Sequence, residues 1–166
     1  MNPTLRLAAA MLLAVTPFAA LTEPPAPPAE DVPIYDTTSD GALAIQAASH
    51  AAGESGRRLF VNFGTNDCAP CRVVNDTIYE EPFLTAFFGQ FVPVFVDVSA
   101  GSKNRALLDR YGIDPAKGLP AIVLSDNALR VAEVAKEGEL ATAGAKGKEA
   151  VQEWILKRFN KKEAGR

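Results

Sequence analysis

The only two cysteines in the 166-residue chain, Cys68 and Cys71, are separated by Ala69 and Pro70 alone. They follow a short apolar run, Leu59-Phe60-Val61-Asn62-Phe63, and a turn, Gly64-Thr65-Asn66-Asp67. A run of that length, interrupted only by Asn62, fits a buried central strand. Pro70 fits the first turn of a helix, where its missing N–H costs nothing. Both sulfurs therefore fall at the start of a helix that leaves a strand. The spacing lets them close a small disulfide ring. The helix N-terminal N–H groups and macrodipole favour a thiolate at that end. Such a placement reads as a redox motif.

Three duller uses compete with it: half a zinc site, a fixed structural disulfide and a chance spacing. A structural zinc site takes four Cys or His side chains and a catalytic one three. His50, the only histidine, is distant in sequence and reads as an incidental residue of another helix. A single short disulfide loop would staple almost nothing. Stability must instead come from packing, for which 48% hydrophobic content suffices. The net charge of −3 gives no basic footprint, so a nucleic-acid partner is not expected.

Within the helix, Cys71, Val74 and Ile78 fall at i, i+3 and i+7 on one apolar stripe. Cys71 is then sheltered against the core, and Cys68, at the very end, is the more exposed sulfur. This asymmetry assigns roles. Cys68 is the attacking thiolate and Cys71 the thiol that resolves the mixed disulfide.

The chain divides into four parts. Residues 1–21 read as a signal peptide: Arg6, the apolar run Leu7 to Val15, then the helix-breaking, small-residue end Pro17-Phe18-Ala19-Ala20. The apolar stretch falls short of the roughly 20 residues that span a bilayer. Export to the periplasm with cleavage is the expectation, and an uncleaved N-terminal anchor is the alternative. Residues 22–38, with Pro24, Pro25, Pro27, Pro28 and Pro33, form a proline-rich linker of extended geometry. The domain spans 39–160, and 161–166 is a solvated tail.

Ser39 is the expected cap of a first helix, Asp40 to Ala52. After the Cys68 helix, Pro82 breaks the pattern and a short helical piece follows to Phe88. Phe91 to Val98 reads as a strand, Asn104 to Tyr111 as a helix, and Ala121 to Leu124 as a strand. Leu129 to Val134 returns as a hairpin strand. Lys136 to Lys148 reads as loop. A last helix carries Val151, Trp154, Ile155 and Phe159 on one stripe, with Trp154 as core. Strands separated by helices require crossovers and a partly parallel sheet, to which the hairpin adds an antiparallel edge.

With Val61-Asn62-Phe63, Cys68-Ala69-Pro70-Cys71-Arg72, Tyr111-Gly112-Ile113 and Gly118-Leu119-Pro120 in this order, the chain resembles the thioredoxin superfamily. It is most similar to exported single-domain members and to the C-terminal domain of the membrane reductant transporter DsbD. The resemblance covers roughly Asp40 to Phe159. It implies an α/β, three-layer fold with a central mixed sheet and helices on both faces. It also implies that Pro120 is a cis-proline lying against the cysteines. Leu119 then pairs through its backbone with a bound substrate chain.

Two residues depart from the family pattern. Asp67 stands where a tryptophan is usual. A carboxylate there opposes the Cys68 thiolate, against the helix terminus and Arg72. Asn62 stands where thioredoxin has a buried, proton-relaying aspartate, and an amide cannot titrate. Asn62 either orients a water or thiol beneath the site or merely satisfies local backbone.

The leading expectation is a periplasmic thiol–disulfide oxidoreductase, reducing protein or peptide disulfides and recharged by a membrane electron-transfer thiol partner. It needs no bound cofactor, since electrons travel as dithiols. A non-catalytic binding or assembly module is the alternative, motivated by Asn62 and Asp67. A Cu(I) carrier is the third, since two close thiolates suit a soft metal.

Overall fold

Leu59, Val61 and Phe63 alternate with Phe60 and Asn62 along β1 (Arg58–Gly64), and this alternation sets the layers of the protein. The computed structural model describes residues 32–126 and 128–159. The expected signal peptide, most of the proline-rich linker and the tail lie outside the described residues.

β1 is central in a four-stranded sheet of order β2-β1-β3-β4. It pairs parallel with β2 (Phe91–Asp97) and antiparallel with β3 (Ala121–Ser125). β3 in turn pairs antiparallel with β4 (Val131–Ala135), the expected hairpin edge. One face carries α2 (Ala69–Ile78), α3 (Phe83–Gln90), α5 (Glu139–Lys146) and α6 (Lys148–Phe159). Its core joins Phe60, Ile122 and Leu124 to Val74, Ile78, Phe87, Leu140, Val151 and Ile155. The other face carries α1 (Gly41–Ser55) and α4 (Ala106–Tyr111), packed on Leu59, Val61, Phe63, Val96 and Val123. The mixed sheet with helices on both faces is the architecture read from the sequence.

The stripe on α2 is fully realised. Cys71, Val74 and Ile78 are all 0% exposed. Burying each of the two aliphatic side chains stabilises the docked helix by about 1.5–3 kcal/mol. In α6, Val151 and Ile155 are buried, and Trp154 is half-buried with the Arg158 guanidinium 3.5 Å from its ring centroid.

Several boundaries differ from expectation. Asp40, not Ser39, caps α1, its carboxylate accepting from the N–H groups of Ala42 at 3.0 Å and Leu43 at 3.1 Å. The helix also runs through Gly53 and stops at Gly56, whose φ of 66° closes it with a left-handed cap. The helix expected from Asn104 begins with a 3-10 turn, Lys103–Arg105, before α4. The largest correction is α5, which occupies residues read as loop. Leu140, Ala143 and Gly144 are its buried face, a sparse stripe of one leucine and two small residues. Small residues give little hydrophobic signal, yet they let two helix backbones come close. A Cβ on Gly144 would stand 2.8 Å from the Pro70 carbonyl oxygen and 2.9 Å from its Cβ. α5 thus backs directly onto the first turn of the cysteine helix.

Candidate active site around the cysteine pair

β1 ends at Gly64, and the turn that follows is closed by the Cys68 N–H donating to the Thr65 carbonyl at 3.3 Å. Cys68 is the N-cap of α2, and its Sγ accepts the Cys71 N–H at 3.2 Å. The sulfur therefore takes the place of a capping oxygen and receives one of the N–H groups that a helix start leaves unpaired. Cys68 and Cys71 are joined as a disulfide. Cys68 is half-buried and Cys71 wholly buried, the asymmetry read from the stripe.

Leu119 and Pro120 come from the opposite side of the site. Their peptide bond is cis, as is that of Glu81 and Pro82. Pro120 is buried and Leu119 half-buried. The Leu119 carbonyl oxygen lies 3.4 Å from Cys68 Sγ. In the disulfide this sulfur has no hydrogen, so the contact turns into an S–H···O bond only in the dithiol form.

Asp67 is exposed, with its carboxylate accepting from the Thr65 hydroxyl. That bond holds its carboxyl below the usual range, so it is an anion beside Cys68 throughout the neutral range. Arg72 is half-buried and donates through Nη2 to the Asn66 carbonyl at 3.1 Å, which ties the turn to the helix. Pro70 lies in the first turn of α2, under Gly144 of α5. His50 lies on the exposed side of α1, its Nδ1 3.3 Å from Glu54 Oε2. Among the described residues, no group of three or more His, Cys, Asp or Glu is arranged to hold a metal ion.

Asn62 is 0% exposed. Alternation along β1 puts it on the same face as Phe60, the face that α2 covers. Its Oδ1 accepts the hydroxyl of Tyr35 at 3.1 Å, while its Nδ2 has no partner among the described residues.

Sequence reasoning missed Tyr35, which falls among the residues read as linker. It is 0% exposed and belongs to the packed domain. Asn66 holds its backbone on both sides, accepting its N–H at 3.0 Å and donating to its carbonyl at 2.9 Å. Its ring meets Phe95 edge-on at 6.0 Å. Burial pushes its phenol well above the usual tyrosine range, the Asn62 bond lowers it, and the nearby Asp97 charge raises it again. Gly64 makes room for this arrangement. A Cβ there would stand 2.1 Å from the Tyr35 hydroxyl oxygen and 3.0 Å from Cys71 Sγ. An aromatic residue just after a proline run was the one signal in the sequence.

A thioredoxin-like family model matches residues 41–126, which hold the cysteine pair, β1 and β3. The chain belongs to the thioredoxin-like family. Among solved structures of similar fold is the crystal structure of a disulphide isomerase from Xylella fastidiosa Temecula1. It is 26% identical with a TM-score of 0.70, and the match covers 76% of this chain and 97% of that one. No curated protein matches the sequence. Membership of the thioredoxin-like family, this neighbour and the Cys68–Cys71 pair together support thiol–disulfide exchange as the chemistry of the site.

Proposed function

We propose that the protein is an exported, periplasmic oxidoreductase that reduces disulfides in protein or peptide substrates. The observation that carries this reading is the Cys68 sulfur, half-exposed at the helix start and accepting the Cys71 N–H at 3.2 Å. A hydrogen bond to the charged form and a helix N-terminus both favour a thiolate at Cys68.

In the reduced protein, Cys68 thiolate attacks one sulfur of the substrate disulfide. That S–S bond breaks, and its other sulfur leaves with the electron pair. Cys71 then attacks Cys68 Sγ, the mixed disulfide breaks, and the second substrate sulfur leaves. Two electrons have passed from the dithiol to the substrate, and the protein holds the Cys68–Cys71 disulfide. The Leu119 backbone, beside Cys68 and ahead of Pro120, is the edge along which the substrate chain lies.

Asp67 supports the reductive direction. Its anion destabilises the Cys68 thiolate, and a less stable dithiol state makes a weaker oxidant. A membrane thiol carrier delivering electrons would recharge the disulfide, since the periplasm is oxidising. The apolar segment read as a signal peptide supports this location.

The test is turnover of a model protein disulfide by the chemically reduced protein, with its potential measured against glutathione. Stoichiometric reduction, with a potential well below about −120 mV, the value of a strong oxidant, is expected. No reduction of any disulfide would remove the enzymatic reading, and a potential near that value would reverse its direction.

A further inference from the structure

The resolving cysteine has no buried acid beneath it at Asn62, yet Cys71 must carry charge in a site that is wholly buried. A thiolate there needs a hydrogen-bond donor. The structure holds one. The Tyr35 hydroxyl oxygen and Cys71 Sγ both lie against the position where a Gly64 side chain would stand, at 2.1 Å and 3.0 Å from it. Those two distances put them at most about 5 Å apart, a gap that a turn of the Cys71 side chain or one water closes.

Tyr35 and Asn62 have two ways of bonding. In the disulfide form the Tyr35 O–H donates to Asn62 Oδ1 at 3.1 Å, and Asn62 Nδ2 is left buried without a partner among the described residues. Turning the amide over presents Nδ2–H to the phenol oxygen. Nδ2 then donates to the phenol, Oδ1 takes the unpartnered place, and the Tyr35 O–H is free to point toward the sulfur while keeping its proton. A disulfide sulfur is a weak acceptor and a thiolate a strong one. The redox state of Cys71 therefore decides which arrangement is favoured.

We propose that Tyr35, backed by Asn62, is the hydrogen-bond donor that stabilises the Cys71 thiolate during resolution, a positioning pair in place of a titrating acid. The inference rests on the dithiol reading above. During resolution Cys71 loses its proton to solvent, and its thiolate attacks Cys68 Sγ. The Cys68–substrate bond breaks, and the substrate sulfur leaves with the electron pair and takes up a proton from solvent. Tyr35 lends a hydrogen bond throughout and gives up no proton. The height of its own ionisation above the neutral range fits that part.

Other charges surround the pair. Asp97, buried at the end of β2, faces Tyr35, and Asp67 and Arg72 flank the cysteines. All three are kept in every variant, so differences belong to position 35.

The test titrates Cys71 as the sole thiol in a full-length Cys68→Ala background, followed by thiolate ultraviolet absorbance against pH. Tyr35→Phe is expected to move the thiolate midpoint up by about one pH unit, tenfold less thiolate at a given pH. A ring-fluorinated tyrosine at position 35, nearly the same size and a stronger donor, is expected to move it down. This second substitution decides the matter alone should the phenylalanine variant fail to fold. A midpoint that does not move with the fluorinated residue, or that falls in Tyr35→Phe, overturns the proposal. No substrate is involved, so failure here is separate from failure to reduce disulfides.

Discussion

The side-chain amide of Asn66 grips the backbone of Tyr35 from both sides, with bonds of 3.0 and 2.9 Å. The turn that presents Cys68 is thereby fastened to a segment outside the family's matched region, which begins at residue 41. Asn66→Ala removes both bonds and leaves the backbone N–H and carbonyl of the buried Tyr35 without those partners. A loss of about 1–3 kcal/mol in unfolding free energy is expected. Urea denaturation checks it, and proteolysis should cut the 32–38 segment first.

Gly64→Ala tests the packing between Tyr35 and Cys71. The new methyl would meet the Tyr35 hydroxyl oxygen at 2.1 Å and the Cys71 sulfur at 3.0 Å. Neither atom belongs to a freely moving chain end, because the ring is buried and the sulfur is in the disulfide. Overpacking of this kind costs about 1–3 kcal/mol. Thermal unfolding should show a lower midpoint for the oxidised protein.

Gly144→Val tests the contact of α5 with the cysteine helix. A Cβ at this position stands within 3.0 Å of three Pro70 atoms, two of them backbone. The helices must separate, with a loss of about 1–3 kcal/mol or more. Replacing Gly89, which lies in α3 with open space around it, by Ala is the control and should keep or slightly raise stability.

Asp67→Asn probes the charge beside Cys68. The Thr65 bond lowers the carboxyl below its usual range, so the anion persists from neutral pH well into the acid range. Its repulsion of the thiolate is present above that range and fades as pH falls through the lowered value. Removing it should increase Cys68 thiolate at neutral pH and move the glutathione equilibrium toward a more oxidising protein. The effect should shrink in high salt, since the group is exposed. Alkylation rate against pH, with and without salt, measures both.

The parts of this protein that were legible share one physical cause: burial written as periodicity. Cys71, Val74 and Ile78 repeat at helical spacing, and all three are fully buried. The apolar runs of β1, β2 and β3 read as strands and pair as strands. α5 was illegible because close helix packing is achieved there by small residues, Ala143 and Gly144, which carry almost no hydrophobic signal. Tyr35 was illegible because its burial is not periodic. One ring inserts, held by a long-range pair with Asn66 that local sequence does not encode. The position of Asn62 was readable, but its partner was not, for the same reason.

In the proposed exchange Cys68 attacks and Cys71 resolves. Reduced Cys71→Ser and Cys68→Ser proteins, incubated with a model protein disulfide and analysed by mass spectrometry, test it directly. Cys71→Ser should accumulate a covalent mixed disulfide through Cys68, while Cys68→Ser should trap little, its remaining sulfur being buried. Equal trapping by the two variants, or trapping through Cys71 alone, would contradict the account.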